Sequence, residues 1–375
     1  MLNASVIICA YTEERWDDLL QAVESIQRQT LPPREIIVVI DHNPRLFERL
    51  QAPLKGVILI QNTEQRGLSG ARNCGIARAT GAHLAFLDDD AIAEPNWLEL
   101  LSACCSDAEV LGAGGVVEPM WLCERPSWFP SEFYWVLGCS YEKPPAAPVV
   151  VRNPYGGCSY MRREIFEVVG GFRNGIGRVG NRPVGGEETE LSIRARQRWP
   201  EKKFLWEPRA RIWHRIAPPR AHWSYFCSRC YSEGLSKAVI SRHVGVKDGL
   251  AAERAYTFRT LPLGVLRSLK EGLIHGDCAA FQRAGAIAVG LALTTAGYIA
   301  GSLSKPSTNI SEGPKIFLPA PSVESVTVAR DLGLSRAESP PALLNEMGEP
   351  PARSSTSSRE TPTPVAAGEL REILR

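Results

Sequence analysis

The sequence predicts an α/β domain built on a parallel sheet, and three observations predict it. Short apolar runs rich in β-branched residues recur early: SVIICA at 5–10, EIIVVI at 35–40, a weaker VILI at 57–60 and HLAFL at 83–87. Each is strand-length and lacks polar alternation, as expected of strands buried on both faces. Helical stretches separate them, and strand–helix alternation of this kind gives a sheet whose ligands bind beyond the carboxyl ends of its strands.

The first helix is expected in WDDLLQAVESIQRQT, where Leu19, Leu20, Val23 and Ile26 recur at helical spacing before Pro32 and Pro33 stop it. A second is expected across GARNCGIARATG, closed by Gly81. The strand ends then carry Ala10-Tyr11-Thr12, Asp41-His42-Asn43 and Asp88-Asp89-Asp90. From Gly114 to about Arg220 the chain reads as irregular, with crowded aromatics (Trp121, Trp128, Phe129, Phe133, Tyr134, Trp135) and the glycine pairs Gly156-Gly157 and Gly170-Gly171. Loops this long in a compact domain serve as lids or binding walls. GGEETE leads into a helix over LSIRARQRW, and Trp223 to Val244 reads as another. Ala284 to Leu303 contains no charge, has the length of a bilayer span, and carries Gly297 and Gly301 at the spacing that lets membrane helices approach closely. It is read as a candidate membrane segment, against a buried helix or hairpin. From Ser304 onward, ten of the 28 prolines fall in a Ser, Thr and Glu-rich tail expected to be disordered. The domains expected are a catalytic domain over 1–220, a helical region over 221–303 containing the membrane candidate 284–303, and a tail over 304–375.

The 43 Lys plus Arg and 41 Asp plus Glu nearly cancel, so no nucleic-acid partner is expected. Ten cysteines without a basic leader before the first apolar run point to free thiols in a reducing cytoplasm. Cys227 and Cys230 have no second pair at zinc spacing, and no P-loop or GxGxxG supports an ATPase or nicotinamide enzyme.

Asp88 and Asp90, spaced i and i+2 at a strand mouth, point to the same side and can hold Mg2+ or Mn2+ bridging a diphosphate; the alternative is a solvated acidic turn. Two further polar strand ends and the Gly-rich GLSGARN helix start with Arg72-Asn73, where phosphate is attracted, favour the metal reading. His214, in RIWHRI, is either a ligand or a core histidine. The basic run Arg194, Arg196, Arg198, Lys202, Lys203, Arg209, Arg211, Arg215 and Arg220 is either an anion-binding surface or a solvated face.

Taken together, VIICAYTEE, VVID, GLSGARNCGIARATG, FLDDDA, NPYGGCSYMRREIFEVVGGF and GGEETEL resemble the family 2 glycosyltransferases. Through GLSGARN, the Phe133–Trp135 cluster, GGEETEL and EGLSKA at 233–238, the chain is most similar to their glucosyl-dolichyl phosphate glucuronosyltransferase-like branch. The resemblance spans roughly Ser5 to Arg242. It implies the GT-A fold, a Rossmann-like mixed sheet flanked by helices, here with a C-terminal helical extension. It further implies nucleoside contacts at Ala10, Tyr11 and Thr12 with Glu13 or Glu14, and a uracil-reading acid at Asp41. Arg72 then lies near the diphosphate, and Asp88, Asp89 and Asp90 take ribose and metal contacts, with His214 near the metal.

GGEETE matches the family's Glu-Asp pair, whose second acid is the catalytic base. That position is Glu188 here, one methylene longer, and Glu187 and Glu190 stand as alternatives. The activity implied is inverting transfer from a UDP-sugar, UDP-glucuronate being favoured, with Mn2+ or Mg2+. The acceptor implied is lipid-linked or a polysaccharide, at the inner face of the cytoplasmic membrane. A donor carboxylate would want a dedicated cation, which the sequence does not identify. A nucleotidyltransferase and a catalytically silent, membrane-associated sugar-nucleotide-binding protein are the competing readings.

Overall fold

The computed structural model describes residues 1–179, 185–304 and 310, without the side chains of 251 and 252. All of these fall in one compact unit, residues 1–322. The tail expected beyond 304 therefore lies outside the described residues, apart from 310.

The elements follow in order: β1 (Leu2–Ala10), α1 (Trp16–Gln27), β2 (Pro33–Ile40), α2 (Pro44–Leu50), β3 (Ile58–Gln61), α3 (Leu68–Arg78), β4 (His83–Asp88), β5 (Ala91–Ala93), α4 (Trp97–Cys104) and β6 (Val110–Trp121). Then come β7 (Val149–Val151), β8 (Cys158–Arg162), α5 (Arg163–Val168), α6 (Glu187–Arg198) and β9 (Lys203–Ile216). The C-terminal helices are α7 (Trp223–Val244), α8 (Val246–Gly249), α9 (Ala251–Ala255), α10 (Leu261–His275) and α11 (Cys278–Leu303).

The strands form a mixed sheet in the order β3-β2-β1-β4-β8-β6-β9-β5, with β7 also on β9. The first four strands in that order are mutually parallel; β8 runs antiparallel to both β4 and β6. Period-2 alternation splits the core into two layers. Val6, Ile8, Val38 and Ile40 pack with Leu19, Ala22 and Ile26 of α1 and Trp97 of α4, whereas Ile7, Ile37 and Val39 pack with Ala71 and Ile76 of α3, Phe166 of α5 and Leu191 of α6. The first layer continues through Phe129, Phe133 and Phe226 to Leu261, Ala286 and Ile287, so the C-terminal helices extend the same core.

The stretch from Gly114 to Arg220 is not irregular as expected, because it contains part of β6 and all of β7, β8 and β9. Glycines hid β6: a Cβ on Gly112, Gly114 or Gly115 would crowd the backbone of Tyr160, Cys158 or Ala210, so close strand approach excludes the side chains that mark a strand. In β9, Ala210, Ile212, His214 and Ile216 are buried while Arg211, Trp213 and Arg215 take the other face. Members of the basic run take up separate ion pairs: Arg211 with Glu118, Arg215 with Asp18 and Arg209 with Glu207 from β9, and Arg194 with Glu190 within α6.

Candidate active site

Parallel register brings the ends of β1, β2 and β4 level, Cys9 standing opposite both Val39 and Asp88. Beyond them opens a cavity of about 760 Å3, within the size range of small-molecule sites. Ala10, Tyr11, Asp41, Arg72 and Asp88 to Asp90 line one side, with Glu187, Glu188 and His214. Helices α7 and α11 line the other, through Arg229, Glu233 and Lys237, and Leu291, Thr294 and Tyr298.

After Asp88 the chain turns into β5, which pairs with β9 so that Ala91 faces His214. This register sets His214 Nε2 at 2.9 Å from Asp90 Oδ1. One ligand atom each from Asp88, Asp90 and His214 lies within 4.8 Å of the others. Two carboxylates and an imidazole suit a divalent cation of the Mn2+ type, and Mg2+ through the oxygens. Arg220 donates to Asp90 Oδ2 at 3.1 Å, and Arg15 lies 3.2 Å from the same oxygen. Burial works against the Asp90 charge, but His214, Arg220 and Arg15 outweigh it and hold its pKa well below the usual carboxylate range.

Asp89 is buried too, and burial pushes it up to about 6 although Arg15 donates to its Oδ1 at 2.7 Å. Among the described residues its Oδ2 has no hydrogen-bond partner, so buried acceptor capacity remains beside the trio. Asp88 is partly exposed and lies against Gly157, where any Cβ would strike its carboxylate. Gly156 likewise leaves room for Arg72, whose Nη1 would be 3.0 Å from a Cβ there.

Helix α6 opens after Gly186, at φ 93°, a conformation that favours glycine, and puts three glutamates in its first turn. Tertiary contacts make them unequal. Glu187 is buried and accepts from Arg72 Nη1 at 2.7 Å. Glu190 is buried and held by Arg173 at 2.6 Å and Arg194 at 2.7 Å. Glu188 is half-buried, lines the cavity and has no ion-pair partner among the described residues. Burial and the neighbouring Glu187 push its pKa up to about 8.

Residues 5–170 match the family model for glycosyl transferase family 2. The chain is 32% identical over 307 residues to a glucosyl-dolichyl phosphate glucuronosyltransferase of Haloferax volcanii, covering 81% of this chain and 97% of that protein. This is a family 2 glycosyltransferase. A succinoglycan biosynthesis protein, ExoM of Rhizobium meliloti, is 28% identical over 200 residues, covering 51% of this chain and 60% of its own length. A mannosyltransferase from Pyrobaculum calidifontis, solved with GDP-Man and Mn2+, shares the GT-A fold at a TM-score of 0.50 and 16% identity, over 79% of this chain and 87% of that one.

In this glycosyltransferase the residues expected around the nucleoside separate. Ala10, Tyr11 and Asp41 line the cavity. Thr12 does not: its hydroxyl accepts from Glu14 N at 3.3 Å and caps the 3-10 turn 13–15. Glu14 is exposed, and Glu13 pairs with Arg49 at 2.6 Å. The Asp41 carboxylate accepts from Asn62 Nδ2 at 2.7 Å and Gly67 N at 3.0 Å, and each oxygen keeps a further lone pair. Of the aromatic cluster, Phe133 and Trp135 reach the cavity; Phe129, Phe133 and Phe226 form core.

Sequence reasoning missed Arg15 and read Arg220 only as part of the basic run, whereas both pin the acidic strand end; a guanidinium shortly after a strand end is a weak signal by itself. It also left EGLSKA without a role. Glu233 and Lys237 face the cavity, Ser236 Oγ accepts from Gly185 N at 3.2 Å just ahead of α6, and Gly234 packs on the α11 backbone at Thr294.

Proposed function

We propose that the enzyme transfers a sugar, by inversion, from a UDP-sugar to a lipid-linked acceptor at a membrane surface, with Glu188 as base. The observation that carries this is the sorting of the three glutamates: of these, Glu188 alone lines the cavity without an ion-pair partner among the described residues, in the same cavity as the Asp88, Asp90 and His214 trio. Tyr11 and Asp41 would receive the nucleoside, Asp41 with acceptor capacity for the uracil N3–H. A divalent cation, Mn2+ or Mg2+, held by Asp88, Asp90 and His214 would neutralise charge on the departing diphosphate. Glu188 accepts the proton of the acceptor hydroxyl while that oxygen bonds to the anomeric carbon and the bond to the diphosphate breaks. Attack from the face opposite the leaving group inverts the anomer. The name of the Haloferax relative supports a glucuronosyl donor and a phosphate-bearing lipid acceptor.

The apolar exterior supports the membrane. Helix α11 has 26 residues, roughly 39 Å, and presents Gly290, Gly297 and Gly301 inward to Phe133, Tyr231 and Ala238. Its small residues thus pack within this chain and not against a second membrane helix. Phe281, Val289, Ile299 and Leu303 stay exposed, as do Leu263, Leu266, Leu273 and Ile274 of α10, with Arg254, Arg259 and Lys270 exposed nearby. An apolar face with basic neighbours fits attachment in the plane of an anionic membrane.

A UDP-release panel with Mn2+ and with Mg2+ tests the chemistry. Glu188→Gln should lose turnover and keep UDP binding by calorimetry. Turnover by Glu188→Gln at the wild-type rate overturns the base assignment, and wild type without UDP binding overturns the donor. Formation of a sugar nucleotide from nucleoside triphosphate would mark a nucleotidyltransferase instead.

A further inference from the structure

One wall of the cavity differs in kind from the strand ends. Leu291, Thr294, Thr295 and Tyr298 of α11 line it at i, i+3, i+4 and i+7, so they form one stripe of that helix. Trp135 lines it too, with Tyr256 from the π-helical turn 256–260 and Leu261 at the start of α10. Turns of that kind are rare and gather at functional sites.

The polar tips of this wall are spent within the protein. Trp135 Nε1 donates to the Tyr256 hydroxyl at 2.7 Å, which donates in turn to the Glu132 carbonyl at 2.9 Å. The Thr294 and Thr295 hydroxyls donate to the carbonyls of Gly290 and Leu291, both at 2.9 Å. Each of these four side chains has thus given up its only polar hydrogen. A glycan hydroxyl gains no donor from them, whereas an apolar chain costs the wall no hydrogen bond. Lys237, which also lines the cavity, is held by Glu233 at 3.1 Å and Glu253 at 2.6 Å.

The wall also meets the outer apolar surface within one helical turn. Thr295 is exposed, and so is Ile299 four residues on; Thr257 lines the cavity next to Phe258, which is 80% exposed. A chain lying along the wall could therefore run from the catalytic cavity to the exposed apolar residues of α10 and α11.

We propose that this wall holds the apolar chain of the acceptor lipid, and that Leu291 and Tyr298 are specificity-determining residues for that chain. This rests on the reading of the enzyme as a glycosyltransferase with a lipid-linked acceptor. Two contacts with lipid are then distinct: the outer face of α10 meets the membrane, and the inner stripe of α11 selects the substrate.

The test is run in detergent micelles, where no bilayer is present, with a glucosyl phosphate carried on an undecaprenyl chain or on a geranyl chain. Wild type should prefer the longer chain in kcat/KM. Leu291→Ser with Tyr298→Ser should reduce that preference roughly tenfold or more, while Leu291→Met with Tyr298→Phe retains it. Leu266→Ser with Leu273→Ser, on the outer face, should retain it as well. On wild type, an undecaprenyl phosphate bearing a diazirine in the chain should label the α11 stripe on irradiation. UDP calorimetry on the same samples reports whether each variant is folded, and the wild-type label decides the matter if the serine pair is not. An unchanged preference in a folded serine pair overturns the proposal, as does label confined to the exposed residues of α10. Wild type that glycosylates a soluble glycan and neither lipid would bring down the lipid-acceptor reading itself, an outcome separable from these.

Discussion

The strand-end half of the cavity and its helical half are held by different forces. At the strand ends, Asp89 and Asp90 are buried and Arg15, Arg220 and His214 are aimed at them, with the position of His214 set by β-sheet register. Across the cavity, Arg152, Glu253, Lys237, Glu233 and Arg229 alternate in sign along a chain of pairs of 2.6 to 3.6 Å, and four of those side chains, Arg152, Glu253, Lys237 and Glu233, remain partly exposed. Those helices are positioned by glycine-mediated contact, Gly234 against Thr294 and Gly297 against Tyr231. Buried charge demands its partners, whereas a partly exposed ladder whose members share partners is redundant. The strand-end half should therefore be brittle and the helical half tolerant.

Substitution of Asp90 by Ala is expected to have the largest effect. It strands Arg220, and leaves Arg15 and His214 without one carboxylate, so a loss of about 3–5 kcal/mol should appear in denaturant unfolding along with loss of metal-dependent turnover. Wild-type stability in that variant would break the contrast between the halves. Glu188→Gln comes next, about 10²–10⁴ slower in transfer and unchanged in unfolding. A base works deprotonated, and Glu188 is pushed up to about 8, so wild-type kcat/KM should climb with pH through that value while the Gln variant stays flat.

Gly297→Val places a Cβ against the Tyr231 carbonyl and should cost about 1–3 kcal/mol by thermal melting, with UDP binding intact. If UDP binding falls as well, the halves are coupled. Lys237→Met leaves Glu253 to Arg152 and Glu233 to Arg229, so about 1 kcal/mol or less is expected in unfolding. The smallest change in stability, within about 0.5 kcal/mol, is expected for Leu266→Ser with Leu273→Ser, both exposed. That pair should instead weaken co-flotation with anionic vesicles; unchanged flotation would remove α10 from the membrane contact.

The parallel strands and their acidic ends were legible because buried parallel strands leave uninterrupted apolar runs, with polar residues only where the chain leaves the sheet. α1 and α7 were legible from helical spacing. β6 and β9 were not, since glycines at crossing backbones and an arginine-bearing outer face erase the apolar signature that marked β1 and β4. The distinction among Glu187, Glu188 and Glu190 was invisible for a related reason. It depends on Arg72, Arg173 and Arg194, of which only Arg194 lies one helical turn away.

By itself the sequence determined the α/β class, the family and the group of acids at the strand mouths, because those follow from local periodicity and contiguous motifs. The tertiary structure alone decided which acids are already neutralised and which are left to act. Pairing between β5 and β9 carries His214 to Asp90 across 124 positions, and Arg72 reaches Glu187 across 115. Charge compensation is a matter of distance in space, which spacing along the chain does not encode.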